Sequence, residues 1–136
     1  MYLQELYKKH FRWLKPEAKE QADLVLWLEA NGYTYTAIPN STWTTPKQTI
    51  LNTMTWVSAW LCDMLVVLKR WSLLFVEMKL PRRVLKNWKL WASPSKVSND
   101  QKKWISILNE IDNVEACIAY GYNEARDHIL YFENLE

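Results

Sequence analysis

The sequence has few of the residues on which several common kinds of site depend. Gly32 and Gly121 are the only glycines among 136 residues, so the chain has neither a G-x-G-x-x-G loop nor a Walker A loop. His10 and His128 are the only histidines, and they lack zinc-ligand spacing to each other or to a cysteine. These shortages argue against nucleotide cofactors and against a zinc site.

Cysteine and long apolar runs are scarce as well. Cys62 and Cys117 form no C-x-x-C pair and lie in apolar, strand-like runs, so we expect two buried free thiols. The apolar runs at residues 64–68 and 73–76 are far shorter than the roughly 20 residues that a membrane-spanning helix needs. The N-terminus mixes charged and apolar residues and does not resemble a secretory signal. We therefore expect a soluble, cytoplasmic protein that makes no membrane contact.

Positive charge is concentrated in one segment. Residues 79–103 contain eight basic residues and one acidic residue, a net charge of +7 within a chain whose total is +2. Such a block attracts phosphate, although a solvated basic face would have the same composition. The residues that we predict to bind nucleic acid are Arg82, Arg83, Lys86, Lys89, Lys96 and Lys102, together with Trp88 and Trp91. The two tryptophans suit either stacking on unpaired bases or a subunit interface.

The order of patterns along the chain predicts an α/β protein with one mixed sheet and helices on its faces. A single domain is expected, with residues 1–15 as an N-terminal helical extension and 16–132 as the core. The predicted elements are a helix at 16–31, strands at 33–39, 61–68 and 71–80, a helix at 98–112, a strand at 114–120, a short helix from Asn123 and a strand at 129–132. Residues 40–60 are predicted to be mostly loop, and Trp27, Trp71 and Trp104 to be core residues.

One pair of apolar strands carries unusual charges. Glu77 and Lys79 are two residues apart, which places both on one face of a strand. Asp63 interrupts the preceding strand, and a turn at Lys69 and Arg70 would place Asp63 opposite or nearly opposite Glu77. A divalent cation between the carboxylates would relieve their repulsion, and magnesium prefers oxygen ligands. The alternative is a buried ion pair of Lys79 with either carboxylate, without catalysis.

These residues also resemble the VRR-NUC branch of the PD-(D/E)XK nucleases. The motifs that carry the resemblance are residues 62–67 (CDMLVV), 75–79 (FVEMK), 98–104 (SNDQKKW) and 120–125 (YGYNEA), with Glu17, Gln21, Trp27 and Leu28 on the first helix. The resemblance spans residues 16–132. The family usually carries Gly-x-Pro before the aspartate, whereas this chain has Trp60-Leu61-Cys62.

The resemblance implies a nuclease core with the order αβββαβ after an extra N-terminal helix. It implies catalysis by Asp63, Glu77, Lys79 and Gln101, and binding of Mg²⁺ or Mn²⁺ by Asp63, Glu77, the Met78 backbone carbonyl and Glu17. It further implies a bacterial or phage homodimer that hydrolyses branched DNA, such as four-way junctions or flaps.

Other functions and other roles remain open from the sequence. Glu17 also suits the positive end of a helix dipole, and Gln101 also completes an S-x-x-Q capping box with Ser98. The apolar stripe Leu3, Leu6, Tyr7, His10 and Leu14 suits either core packing or a dimer interface. The rival functions are a nucleic-acid-binding module without turnover and a protein-binding inhibitor on the same fold.

Overall fold

The computed structural model describes residues 2–38, 62–83, 87 and 96–135. Its helices are α1 (Tyr2–His10), α2 (Pro16–Ala30), α3 (Asn99–Asn109) and α4 (Tyr122–Glu133), and a 3₁₀ turn at Phe11–Trp13 joins α1 to α2. Its strands are β1 (Thr34–Ala37), β2 (Met64–Val67), β3 (Leu73–Lys79) and β4 (Val114–Tyr120). The prediction of an α/β protein with one mixed sheet flanked by helices is confirmed at this level. The loop predicted at residues 40–60 lies outside the described residues.

The sheet has the strand order β1-β2-β3-β4. β1 with β2 and β2 with β3 are antiparallel, whereas β3 and β4 are parallel. A parallel pair needs a crossover, and α3 lies in the chain between these two strands and packs on β4. The Asn109 side chain exchanges two hydrogen bonds with the backbone of Ala116, which fixes the end of α3 against β4.

A tight turn joins β2 to β3, as the sequence predicted. Met64 pairs with Val76 and Val67 with Leu73, and Leu68 N donates to Ser72 O across the turn at 2.8 Å. The prediction that Trp71 is a core residue is wrong. Trp71 occupies the left-handed region at φ 64° and is 88% exposed, because it is the last residue of the turn and not the first of the strand.

The main core lies between one face of the sheet and the helices α2 and α4. Leu24 and Leu28 of α2 are fully buried there, four residues apart on one helical face. The sheet contributes alternate residues, as period-2 side chains require: Met64, Val66, Leu74, Val76, Met78, Cys117 and Ala119. Cys62 and Cys117 are buried free cysteines, as expected. None of the described helices is long and apolar enough to span a membrane.

The strand predicted at residues 129–132 is wrong, because α4 continues through it to Glu133. Ala125 and Ile129 are fully buried, and Tyr122 and Phe132 pack beside them. Their spacing of three and four residues is a helical repeat. The short apolar run resembled a strand only when it was considered without the residues before it.

We predict that Ile129→Ala lowers the free energy of unfolding by about 2–5 kcal/mol, since it removes a buried side chain from the core. Ile111→Ala is the matched control, because Ile111 is 50% exposed and its truncation should cost about 1 kcal/mol or less. Urea denaturation measures both values. Equal losses in the two variants would contradict the position of α4 in the core.

Candidate active site

Two carboxylates meet where β2 begins and β3 ends. Asp63 directly precedes β2, and extending the β2–β3 register by one residue places it opposite Glu77. Asp63 Oδ2 accepts a hydrogen bond from the backbone N–H of Met78 at 2.9 Å. This bond fixes the Asp63 carboxylate at the end of β3, beside the second carboxylate.

Glu77 is a buried charge on a strand. Its residue is 3% exposed, and its Oε1 lies 3.4 Å from Lys79 Nζ. The pKa of Glu77 is raised from 4.5 to about 7, first by burial and then by the charge of Asp63, while Lys79 opposes the shift. The carboxylate therefore lies in an environment with too little positive charge to keep it fully ionised at neutral pH.

Gln101 completes the capping box and also contacts Glu77. Its Oε1 accepts from the backbone N–H of Ser98 at 3.0 Å, and its own backbone N–H donates to Ser98 Oγ, which completes the capping box. Its Nε2 donates to Glu77 Oε1 at 2.6 Å. One side-chain amide thus connects the start of α3 to the carboxylate on β3.

These groups share a cavity of about 510 Å³ with the first turns of α2. The lining residues are Lys15, Pro16, Glu17, Ala18, Gln21, Asp63, Glu77, Met78, Lys79, Leu80 and Gln101. The structure therefore brings together every residue that was predicted to be catalytic or metal-binding. Lys15 was missed, although a lysine just before a helix-starting proline was a usable signal, because the turns before helices often contribute to sites.

The residues present fit a divalent cation with few protein ligands. Glu77 Oε2 is buried and has no hydrogen-bond partner among the described residues, while Oε1 already contacts Gln101 and Lys79. Within residues 2–38, 62–83, 87 and 96–135, no cluster of three or more histidine, cysteine or acidic side chains is arranged to hold a metal. Two carboxylates with completing waters suit magnesium, which is commonly bound by one or two carboxylates.

The predicted DNA-binding residues are only partly described. Arg82 is in contact with two groups of the protein itself, since its Nε lies 3.4 Å from Glu124 Oε2 and its guanidinium lies 4.1 Å from the Tyr120 ring centre. Arg83, Lys96 and Lys102 are exposed. The other four predicted residues lie outside the described part of the chain: Lys86, Trp88, Lys89 and Trp91.

A glycine closes the end of β3 beside the cavity. The backbone N–H of Gly121 donates to Lys79 O at 2.9 Å, with φ 94°, a conformation that other residues rarely adopt. A Cβ on Gly121 would lie 2.9 Å from Pro81 Cγ. Glu20 Oε2 accepts from the next backbone N–H, at Tyr122. Gly121 and Glu20 therefore position the strand end that carries Lys79, and sequence reasoning had assigned Glu20 no role.

Comparison of the chain with protein-family models, with curated proteins and with solved structures found no match. The resemblance to VRR-NUC nucleases thus remains a resemblance of residues and motifs. Asp63, Glu77, Lys79 and Gln101 lie together in the cavity, whatever family the chain belongs to.

The raised pKa of Glu77 predicts a pH dependence of stability. A carboxyl whose folded pKa exceeds its unfolded value stabilises the fold fully below pH 4.5, and this contribution is lost as pH rises through about 7. The metal-free protein should therefore lose about 3 kcal/mol between pH 4.5 and pH 8 through this group alone. Denaturation in chelator should show that Glu77→Gln abolishes this part of the loss.

Glu110→Gln is the matched control, because it makes the same substitution at an exposed residue outside the cavity. Added Mn²⁺ at pH 8 should restore stability to wild type and not to Glu77→Gln, since a ligand that binds only the folded state stabilises it. Identical profiles for wild type and Glu77→Gln would show that Glu77 titrates normally.

Proposed function

We propose that this protein is a Mg²⁺- or Mn²⁺-dependent endodeoxyribonuclease with a PD-(D/E)XK core. The observation that supports this most directly is that Glu77 Oε2, opposite Asp63, has no hydrogen-bond partner within the described part of the chain and lies in a cavity that Lys79 also lines. An unpaired buried carboxylate oxygen is costly. A cation bound there would remove this cost.

Asp63 and Glu77 would hold the metal, with the Met78 carbonyl and Glu17 as further oxygen donors from the same cavity. When bound, the metal supplies a water of lowered pKa and neutralises charge on the phosphate. Lys79 Nζ would hydrogen-bond the attacking water or a phosphate oxygen, because it lies beside Glu77 with 8% of the residue exposed. Gln101 holds Glu77 Oε1, which leaves Oε2 for the metal.

Part of the cavity lining suits an anion. Lys15 and the first turn of α2 form this part, and α2 begins without a side-chain cap at its N-terminus. The N-terminal end of a helix carries a partial positive charge that favours phosphate. A cavity lined by the carboxylates of Asp63, Glu77 and Glu17, and also by Lys15 and a helix N-terminus, would suit a divalent cation together with a phosphodiester.

The second candidate is a nucleic-acid-binding module or protein-binding inhibitor that has this fold and no turnover. The contact between Lys79 and Glu77 favours it, because an ion pair of this length is what a structural role requires. The two candidates differ in their metal dependence, since an ion pair that needs no metal predicts binding that is unaffected by chelator.

We predict that Asp63→Asn and Glu77→Gln each abolish Mn²⁺-dependent cleavage and keep the fold, because each removes charge that the metal requires. Lys79→Ala should lower the rate by at least roughly 100-fold, as expected when a proton-transfer or charge-stabilising group is removed. Cleavage of labelled plain, flapped and four-way DNA measures these rates.

Glu5→Gln on α1 and Lys69→Ala in the β2–β3 turn are matched controls, and both should cut at the wild-type rate, since both residues are exposed and outside the cavity. Full activity in chelator would exclude a metal mechanism. Wild-type rates in all three cavity variants would contradict the proposed catalytic roles.

Branched DNA is the proposed substrate and a homodimer the proposed assembly. A single site of this kind cuts one strand, so symmetric cutting of a four-way junction needs two sites in fixed relation, most simply about a two-fold axis. The α1 side chains Leu3, Leu6 and Tyr7 are half-buried and could extend into such an interface.

Light scattering at micromolar concentration should give twice the 16.3 kDa of one chain. A monomer that nicks duplex and junction equally would contradict both proposals.

A further inference from the structure

The last residues of α1 and the segment that joins α1 to α2 form a second basic surface, separate from residues 79–103. Residues 8–15 contain four lysines and arginines and no acidic residue, a net charge of +4 within eight residues. All of them except Phe11 are exposed. We call residues 8–15 the basic turn.

Phe11 holds the basic turn in place. Its ring lies 4.4 Å from that of Tyr7, Lys19 Nζ lies 5.6 Å from its centre, and its carbonyl accepts from Leu14 N. Pro16 then starts α2 with a restricted backbone. The turn is therefore anchored from inside, so its outward side chains need little further ordering when they bind a partner.

Trp13 is the outward aromatic of this turn. It is 73% exposed, and the guanidinium of Arg12 lies 4.9 Å from its ring centre. Exposing a large aromatic ring to water carries a hydrophobic cost. A tryptophan face suits stacking on a flat aromatic ring, and an adjacent arginine suits a negative charge. A nucleotide has both, in its base and in its phosphate.

The basic turn is adjacent to the candidate active site. Lys15, its last residue, lines the cavity with Asp63, Glu77 and Lys79, and two residues of chain place the Cα of Trp13 within about 7 Å of the Cα of Lys15. A base stacked on Trp13 would thus belong to a nucleotide close to the phosphodiester that we propose the cavity binds. Paired bases are not available for such stacking, because their faces are covered by their neighbours in the duplex.

We propose that the basic turn binds an unpaired stretch of DNA, with Trp13 stacking on a base beside the scissile phosphodiester and the lysines and Arg12 contacting the backbone. This inference rests on the proposed nuclease function and specifies its substrate: DNA that is single-stranded next to the cut, such as a flap. Plain duplex then binds through phosphate contacts alone and is the poorer substrate.

The chain offers a matched control for Trp13. Trp71 is still more exposed, but it lies in the β2–β3 turn, at the opposite end of β3 from Glu77. Trp71→Ala therefore removes a similarly exposed ring far from the cavity. Neither substitution removes core packing, so both variants should unfold at wild-type denaturant concentrations.

The test measures binding of labelled single-stranded, 5′-flap and plain duplex oligonucleotides by fluorescence anisotropy in chelator, where no metal-dependent turnover takes place. Trp13→Ala should weaken binding of the single strand and the flap by roughly 5- to 100-fold, the range for one stacked base, and change duplex binding less than about two-fold. Trp13→Phe should retain part of the affinity, and Trp71→Ala all of it. Replacing Lys8, Lys9 and Arg12 together by alanine should reduce the salt slope on single strands by about 0.7 for each phosphate that the protein no longer binds.

Three results would overturn the inference: wild-type protein that binds none of these oligonucleotides, Trp13→Ala that binds flap as wild type does, or an equal loss on flap and duplex. Poly-glutamate that competes as well as single-stranded DNA, with no effect of Trp13→Ala, would also overturn it and assign the basic turn to an acidic protein partner. Flap binding that depends on Trp13 without cleavage in Mg²⁺ or Mn²⁺ would support this inference and refute only the nuclease proposal.

Discussion

The placement of a carboxylate inside a core strand is the constraint on which the site depends. Leu74, Val76 and Met78 direct one face of β3 into the main core, and strand periodicity then forces Glu77 onto the other face, still under cover. The sequence cannot move this charge to water without shifting the register and exposing the core residues. Glu77 therefore stays buried, and its neighbours are the Lys79 ammonium, the Gln101 amide and the Asp63 carboxylate opposite it.

The contacts that described residues make with Glu77 stabilise only one of its two carboxylate oxygens. Lys79 and Gln101 both contact Oε1, so the stabilisation is concentrated on one oxygen, and the second carboxylate adds negative charge instead of relieving it. A protein that needed only stability would gain from an apolar residue at this position, because replacing buried ion pairs by packed apolar groups is often stabilising. Retaining two carboxylates here makes sense if a positively charged ligand completes the site.

Local sequence patterns predicted the parts of this arrangement that depend on near neighbours. The apolar runs and the turn between them gave the hairpin and the opposition of Asp63 to Glu77, because antiparallel register follows from turn position. The capping box was readable from Ser98 and Gln101 alone. The approach of α2 to the end of β3 is a tertiary contact between segments far apart in the chain, so Glu20 and Lys15 acquired their roles only in the structure. The prediction for Trp71 was wrong because the turn extends to this residue and β3 begins only at Leu73, so Trp71 lies on no face of the strand.

Gln101 hydrogen-bonds both Ser98 and Glu77, so it couples the stability of a helix end to that of the candidate active site. Helix ends open locally at a fraction of the free energy needed to unfold a whole domain, and the first turn of α3 is exposed apart from Gln101. When that turn opens, α3 loses its N-cap bond from Gln101 N to Ser98 Oγ, and Glu77 loses its hydrogen bond from Gln101 Nε2, in the same event. The hydrogen bond from Gln101 to Glu77 is therefore no more stable than the first turn of α3, so local opening of that turn and loss of this bond are one event.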